Sequence, residues 1–207
     1  LRYISHYPDA TNDDILNAIA DIYGMNKNQI VVGNGAAELL YAICRLPGYT
    51  GAFVPAPGFS EYKAALEASR IPVRDIYYRP REDEHGKPYF EVPYLALETF
   101  AAELKGQDGR IIVFLGNPNN PDGTLLDKNH IRTIASMLKD ANSLLVIDES
   151  FIDFVGNDTL QDNEYSMRSL VNEFDNIIVV HSFTKFYAVP GLRIGAAFSN
   201  PLIIEQL

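Results

Sequence analysis

Cysteine is almost missing from this chain: Cys44 is the single one among 207 residues. It cannot form an internal disulfide, which suits the cytosol. Its place in an apolar helical pattern makes it a core residue. Positive charge is also in deficit. Seventeen Lys and Arg stand against 27 Asp and Glu, a net charge of −10. That balance argues against nucleic acid as a partner and against anionic membranes. No stretch approaches the ~20 consecutive apolar residues that a membrane-spanning helix needs. Internal repeats, low-complexity tracts and linkers are lacking, and no signal-peptide pattern opens the sequence. What is present is the make-up of a globular chain, 47% apolar and 21% charged. Its length allows one large domain with a sizeable core. Leu1 in place of Met, and a helix-like "NPLIIEQL" at the other end, read as marks of a piece of a longer chain.

Runs rich in β-branched residues alternate with helical patterns. Strands are expected at 29–34, 51–57, 71–78, 110–117, 143–150 and 176–182, with a last one in "RIGAAFSNP". Helices are expected at 36–46, 60–69, 94–106 and 127–141, with a short one in "SMRSLVNEF". Asp127 is a plausible N-cap and Gly106 a C-cap. At the front, "TNDDILNAIADIYG" reads as an amphipathic helix with a Thr11/Asp14 capping signal. "RPREDEHGKPY" (79–89) reads as an exposed, charged connection. Alternation of this kind implies an α/β fold in three layers, α/β/α, around a mostly parallel sheet. Wholly apolar strands fit it, since both sheet faces are covered.

In such sheets ligands bind beyond the carboxyl ends of the strands. The first strand is followed by "GNGAAE" (33–38), a glycine turn into a helix and so a candidate anion site. It lacks the spacing of a dinucleotide fingerprint or a P-loop, which disfavours those ligands. "PAPGFSEY" follows the second, where Phe59 is a core aromatic or a face for a planar ligand. "NPNNPDGT" (117–124) packs two Asn-Pro pairs and a glycine into a rigid turn, able to fix an amide in space. "SLLVI" ends in Asp148 and Glu149, and a buried carboxylate there needs a partner. None of His6, His85, His130 and His181 has metal-ligand spacing with these acids. Finally, "NIIVV" leads into "HSFTKFYAVPGLRIG". A partly desolvated Lys185 has a lowered pKa and is then a nucleophilic amine able to form a Schiff base. Ser182 and Arg193 could hold an anion beside it. An anion cradle, a stacking ring, a fixed amide, a buried acid and an amine together match what pyridoxal phosphate requires.

With "NPNNPDG", "VIDESF" and "SFTKFYAVPGLRIG" in this order, the sequence resembles the fold-type I pyridoxal-phosphate enzymes of the class I/II aminotransferase group. The resemblance covers essentially the whole chain. It implies that residues 1–207 form the large cofactor-binding domain, without the family's N-terminal segment and C-terminal small domain. It implies Lys185 as the Schiff-base lysine and proton shuttle. Asp148 would pair with the pyridine nitrogen, Asn120 with the ring hydroxyl oxygen, and Phe59 would stack on the ring. Gly35, Ala36 and Ala37, with Ser182, Thr184 and Arg193, would surround the phosphate. Tyr7, in "HYPD", resembles the tyrosine that reaches a neighbouring subunit's phosphate, which implies a homodimer.

Many relatives carry a tyrosine three residues after the aspartate; here that position is Phe151. "GNGAAELLY", "PGFSEYKAAL" and "DESFIDF" are most similar to threonine-phosphate decarboxylases of the cobalamin pathway. Histidinol-phosphate aminotransferases come next. The resemblance thus implies a cytoplasmic enzyme acting on a small phosphorylated amino-acid-like substrate. Its reaction would be decarboxylation of L-threonine O-3-phosphate or, alternatively, amino-group transfer. A regulator built on an aminotransferase-like domain is the remote alternative, and no basic helix-turn-helix accompanies it.

Overall fold

The computed structural model describes residues 11–106, 108–156 and 163–207. Six helices and nine strands follow one another along it. Helix α1 (Asp13–Tyr23) leads to β1 (Ile30–Asn34), α2 (Ala36–Ile43), β2 (Tyr49–Ala56), α3 (Ser60–Ala68) and β3 (Val73–Tyr77). Then come β4 (Arg79–Glu82), β5 (Pro88–Glu91), α4 (Tyr94–Glu103), β6 (Arg110–Gly116) and α5 (Lys128–Asp140). The chain continues through β7 (Leu144–Asp148), β8 (Ile177–Ser182), β9 (Ile194–Phe198) and α6 (Pro201–Ile204).

Seven strands form one sheet in the order β1-β9-β8-β7-β6-β2-β3. β9 pairs antiparallel with both β1 and β8, while the remaining pairs are parallel. The expected mostly parallel, three-layer α/β architecture is therefore present. Successive residues of β7 and β8 enter opposite layers. Leu145, Ile147, Ile177 and Val179 pack with α1, α4 and α5. Leu144, Val146, Ile178 and Val180 pack with α2 and α3. A strand covered on both faces can carry no polar alternation, so these strands are apolar throughout. Among the described residues, no helix is long and apolar enough to cross a membrane.

Local chemistry sets the helix ends. Asp127 caps α5, its carboxylate accepting from the backbone N–H groups of Asn129 and His130. Asn200 does the same for α6 through Ile203. Two expectations, both on helix ends, need correction. The Thr11/Asp14 capping arrangement does not form. Asn12 takes the cap position of α1 in the left-handed region without a side-chain cap, and the Thr11 hydroxyl donates to Asp13. Helix α4 ends at Glu103 with Leu104 as its C-cap, so Gly106, with its positive φ, lies two residues beyond the cap. The short helix expected in "SMRSLVNEF" is a 3-10 helix, Arg168–Asn172. The charged connection at 79–89 is exposed, as expected, and pairs into a hairpin, β4 against β5. It closes because the Asp83 carboxylate accepts from the N–H groups of His85 and Lys87 while Gly86 supplies a positive φ.

Helix α2 lies unusually close to β9. A Cβ on Gly195 would stand 2.5 Å from the Ala36 nitrogen and 2.7 Å from the Gly35 carbonyl carbon. Both are backbone atoms, which cannot rotate away. Gly195→Ala should therefore destabilise the fold by about 1–3 kcal/mol, as overpacking does. Gly191→Ala, with nothing within 4 Å, should stay within about 0.5 kcal/mol of the parent. Urea unfolding midpoints compare the two, and equal midpoints would contradict the close approach.

Candidate active site

Because β9 runs against its neighbours, its first residues lie at the edge where the other strands end. Ser182 at the end of β8 is in register with Gly195, and Gly33 near the end of β1 pairs with the same glycine. Arg193, just before β9, thus reaches the edge that carries the ends of β1, β6, β7 and β8.

The centre of that edge is a narrow cleft lined by Phe59, Tyr62, Pro118, Asn120, Asp148, Ser150, Phe151 and Lys185. Asp148 ends β7 and is 6% exposed. Its Oδ1 accepts from the Ser150 N–H at 2.9 Å, and its Oδ2 accepts from the Tyr62 hydroxyl at 2.9 Å. Tyr62 is buried, lies stacked 5.3 Å from Phe114 and meets Phe59 edge-on at 5.6 Å. Burial, and then the Asp148 charge, raise the Tyr62 phenol well above its ordinary pKa.

Lys185 lies three residues beyond β8. The residue as a whole is exposed, yet its ammonium end is crowded. Nζ sits 4.9 Å from the Phe151 ring centroid and donates to Ser182 Oγ at 3.4 Å. Desolvation lowers its pKa; Asp148 opposes the shift and Arg193 adds to it. The amine is made less basic chiefly by loss of water.

Beside the lysine is a pole for an anion. Gly35, with φ 81°, precedes α2, whose first N–H groups have no side-chain cap. Ala36 and Ala37 form its first turn. A Cβ on Gly35 would stand 2.5 Å from an Arg193 guanidinium nitrogen, so the guanidinium lies directly against the glycine backbone. Arg193 itself holds a left-handed conformation, φ 50° and ψ 58°. Ser182 and Thr184 hydroxyls meet at 2.8 Å. Hydroxyls, guanidinium and helix N-terminus are together the donor set a phosphate takes.

The asparagines of "NPNNPDG" divide their labour. Asn117 is fully buried and structural: it donates to Glu149 and to the Tyr165 carbonyl, and accepts from the Leu126 N–H. Asn119 donates to the Pro57 carbonyl and to Asp122, tying the turn to the segment after β2. Asn120 alone lines the cleft. Glu149 points to the other face. It accepts from Ser166 Oγ at 2.6 Å, from the Met167 N–H at 2.5 Å and from Asn117 at 3.2 Å, with Arg168 3.6 Å away. It is a framework acid. Among the described residues no cluster of three or more His, Cys, Asp or Glu could hold a metal.

Lys185, Asp148, Asn120 and Phe59 are thus brought into one cleft, with Gly35, Ala36, Ala37, Ser182, Thr184 and Arg193 gathered alongside. Tyr7 lies outside the described residues. Tyr62 was missed by sequence reasoning. Its signal was helical spacing from Phe59, three residues earlier on the same face. Also missed was a buried pair behind β8, His181 Nε2 at 2.9 Å from Asp153 Oδ2. A neutral-to-cationic amine, a buried carboxylate and an aromatic face suit a pyridoxal ring, and the adjoining pole suits its phosphate.

The fold and this donor set define a pyridoxal-phosphate-type α/β domain. The family model described as aminotransferase class I and II matches residues 2–207, and the chain belongs to that family. It is 34% identical over 202 residues to the adenosylcobalamin biosynthesis bifunctional protein CobDQ of Leptospira interrogans, covering 97% of this chain and 21% of that protein. It is 31% identical over 212 residues to histidinol-phosphate aminotransferase 1 of Psychrobacter arcticus, covering 99% and 49%. Among solved structures, the L-threonine-O-3-phosphate decarboxylase of Porphyromonas gingivalis shares the fold with a TM-score of 0.72 at 24% identity, covering 98% of this chain and 54% of that one. The histidinol-phosphate aminotransferase of Sinorhizobium meliloti, in complex with pyridoxal-5'-phosphate, does so at 0.73 and 23%, covering 97% and 50%. The chain spans a fifth to about half the length of these curated relatives.

The lowered pKa of Lys185 means that its amine becomes neutral at a lower pH than a free lysine does. In cofactor-free protein carrying ¹³C-methylated lysines, the Lys185 resonance should titrate below the ordinary lysine range. Titration at the ordinary value would contradict the desolvated setting.

Proposed function

We propose that residues 1–207 are the large, cofactor-binding domain of a pyridoxal-phosphate enzyme that decarboxylates L-threonine O-3-phosphate. The observation that carries the cofactor is the convergence of Lys185, Asp148, Asn120 and Phe59 on one cleft beside the Gly35–Arg193 anion pole. Bound pyridoxal phosphate supplies an electron sink for the pair left behind when a bond to the substrate's Cα breaks.

The chain's own groups have these roles. Lys185 would provide the amine that anchors the cofactor and would hold or deliver a proton at Nζ. Its lowered pKa keeps more of it in the nucleophilic form. Asp148 holds the proton on a facing ring nitrogen, helped by the low polarity of its surroundings. Asn120 offers its amide to the ring hydroxyl oxygen, and Phe59 presents a flat face. Arg193, Ser182, Thr184 and the first N–H groups of α2 hold the phosphate. In decarboxylation the Cα–carboxylate bond breaks, CO₂ leaves and a proton takes its place at Cα.

Support for decarboxylation comes from the resemblance of "GNGAAELLY", "PGFSEYKAAL" and "DESFIDF" and from Phe151. An apolar ring at 151, under the Lys185 ammonium, has no hydroxyl to donate to the ring oxygen, so Asn120 is left as the donor there. A second reading, transfer of an amino group from histidinol phosphate or a related donor, is supported by the Psychrobacter relative. A homodimer in which Tyr7 reaches the neighbouring site belongs to the same proposal.

Incubating the full-length protein with L-threonine O-3-phosphate should release CO₂. No CO₂, with conversion of the cofactor to its pyridoxamine form by an amino donor, would replace this reading by the second. Lys185→Ala should abolish the Schiff-base absorbance and lower turnover by at least about 10²-fold, the scale of a lost proton-transfer group. An unchanged spectrum would refute the assignment of Lys185.

A further inference from the structure

We infer that Tyr62 is a positioning residue, which holds the Asp148 carboxylate in place and weakens its pull on the proton of a facing ring nitrogen. This inference rests on the cofactor reading above. Its basis is geometric. Asp148 is 6% exposed and makes no ion pair shorter than 4 Å among the described residues. Its two oxygens are held by two neutral donors, one each: the Ser150 N–H and the Tyr62 hydroxyl, both at 2.9 Å. The backbone donor sits two residues away on the same chain segment. Tyr62 comes from the first turn of α3, and among the described residues it is the donor that ties the acid to another element.

The tyrosine cannot easily move. It is 1% exposed, stacked on Phe114 with planes only 16° apart, and set edge-on to Phe59 at 87°. The ring that would face the cofactor and the donor that grips the acid thus share one turn of helix. The phenol's raised pKa, from burial and from Asp148 itself, keeps the O–H present throughout the working pH range.

A donor to an ionised carboxylate stabilises the charge and lowers its affinity for a proton. An ionised carboxylate has about four acceptor sites, so Tyr62 and Ser150 leave room for a further N–H. With Tyr62 in place, a proton shared between Asp148 and a ring nitrogen stays on the nitrogen. Without it the carboxylate becomes more basic and draws that proton back. A bound ring would then carry less positive charge at that nitrogen, and the imine nitrogen it would share with Lys185 would keep its proton to higher pH.

The test uses Tyr62→Phe in the full-length holoenzyme, which keeps the ring and its two aromatic contacts. The pH midpoint of the bound cofactor's absorbance change should rise by about half a unit or more. Turnover should fall several-fold with KM little changed, the pattern of an interaction that matters in the transition state. In an Asp148→Asn background the same substitution should lose most of its effect on the midpoint. Replacing Tyr62 by 3,5-difluorotyrosine, a stronger donor of the same shape, should move the midpoint downward, and it decides the matter if the Phe variant folds poorly. A wild-type midpoint in both variants would overturn the inference and leave the cofactor reading intact. Absence of any Schiff-base absorbance in the parent protein would overturn both.

Discussion

Two carboxylates side by side at the end of β7, both buried, are the constraint around which the site is built. An ionised group out of water must be met by donors. Asp148 and Glu149 draw theirs from opposite directions. Glu149 gathers Ser166, Met167 and Asn117, and Asn117 in turn accepts from Leu126. That network fixes the turn that presents Asn120 to the cleft. Asp148 gathers Ser150 and Tyr62, and Tyr62 brings with it the turn of α3 that carries Phe59. Satisfying two charges therefore places an amide and an aromatic ring that belong to distant parts of the chain.

The reversal of β9 supplies what the parallel strands cannot. A parallel sheet presents only strand ends at its carboxyl edge. One reversed strand presents a strand beginning there, and with it Arg193. The price is close packing. Gly195 lets the start of α2 touch β9, and Gly35 leaves room for the guanidinium. Three separated pieces of sequence, 33–37, 182–185 and 193–195, become one anion pole through that contact.

Much of this was legible beforehand, because it follows from local rules. β-branched runs mark strands buried on two faces, and the residues beyond them mark the edge where ligands gather. That rule marked Lys185, the Asp148–Glu149 pair, Phe59 and the turn at 117–124, while the choice of Asp148 and Asn120 and a stacking role for Phe59 came from the family resemblance. Capping by Asp127 was legible too, since a carboxylate two and three residues before free N–H groups is a local matter. What escaped depends on distance in the chain. Tyr62 looks like any helical aromatic until Asp148, 86 residues away, is set against its hydroxyl. His181 looks like one more strand residue until the pleat turns it toward Asp153. The hairpin at 79–91 hid because its strands carry charge and proline in place of an apolar face. The start of α1 was misread because a left-handed Asn12 shifts the entry by one residue.

The pleat that parts Asp148 from Glu149 also acts as an insulator. Consecutive like charges on one face would compete for the same donors and depress each other's ionisation. Sent to opposite layers, each sees its own set of dipoles, with the thickness of the sheet between those sets. Loss of a donor around Glu149 would then reach the cleft through the turn that carries Asn120, whereas loss of Tyr62 would act on Asp148 directly. One strand end thereby serves the scaffold and the site by two separate routes, using nothing but the alternation of side chains.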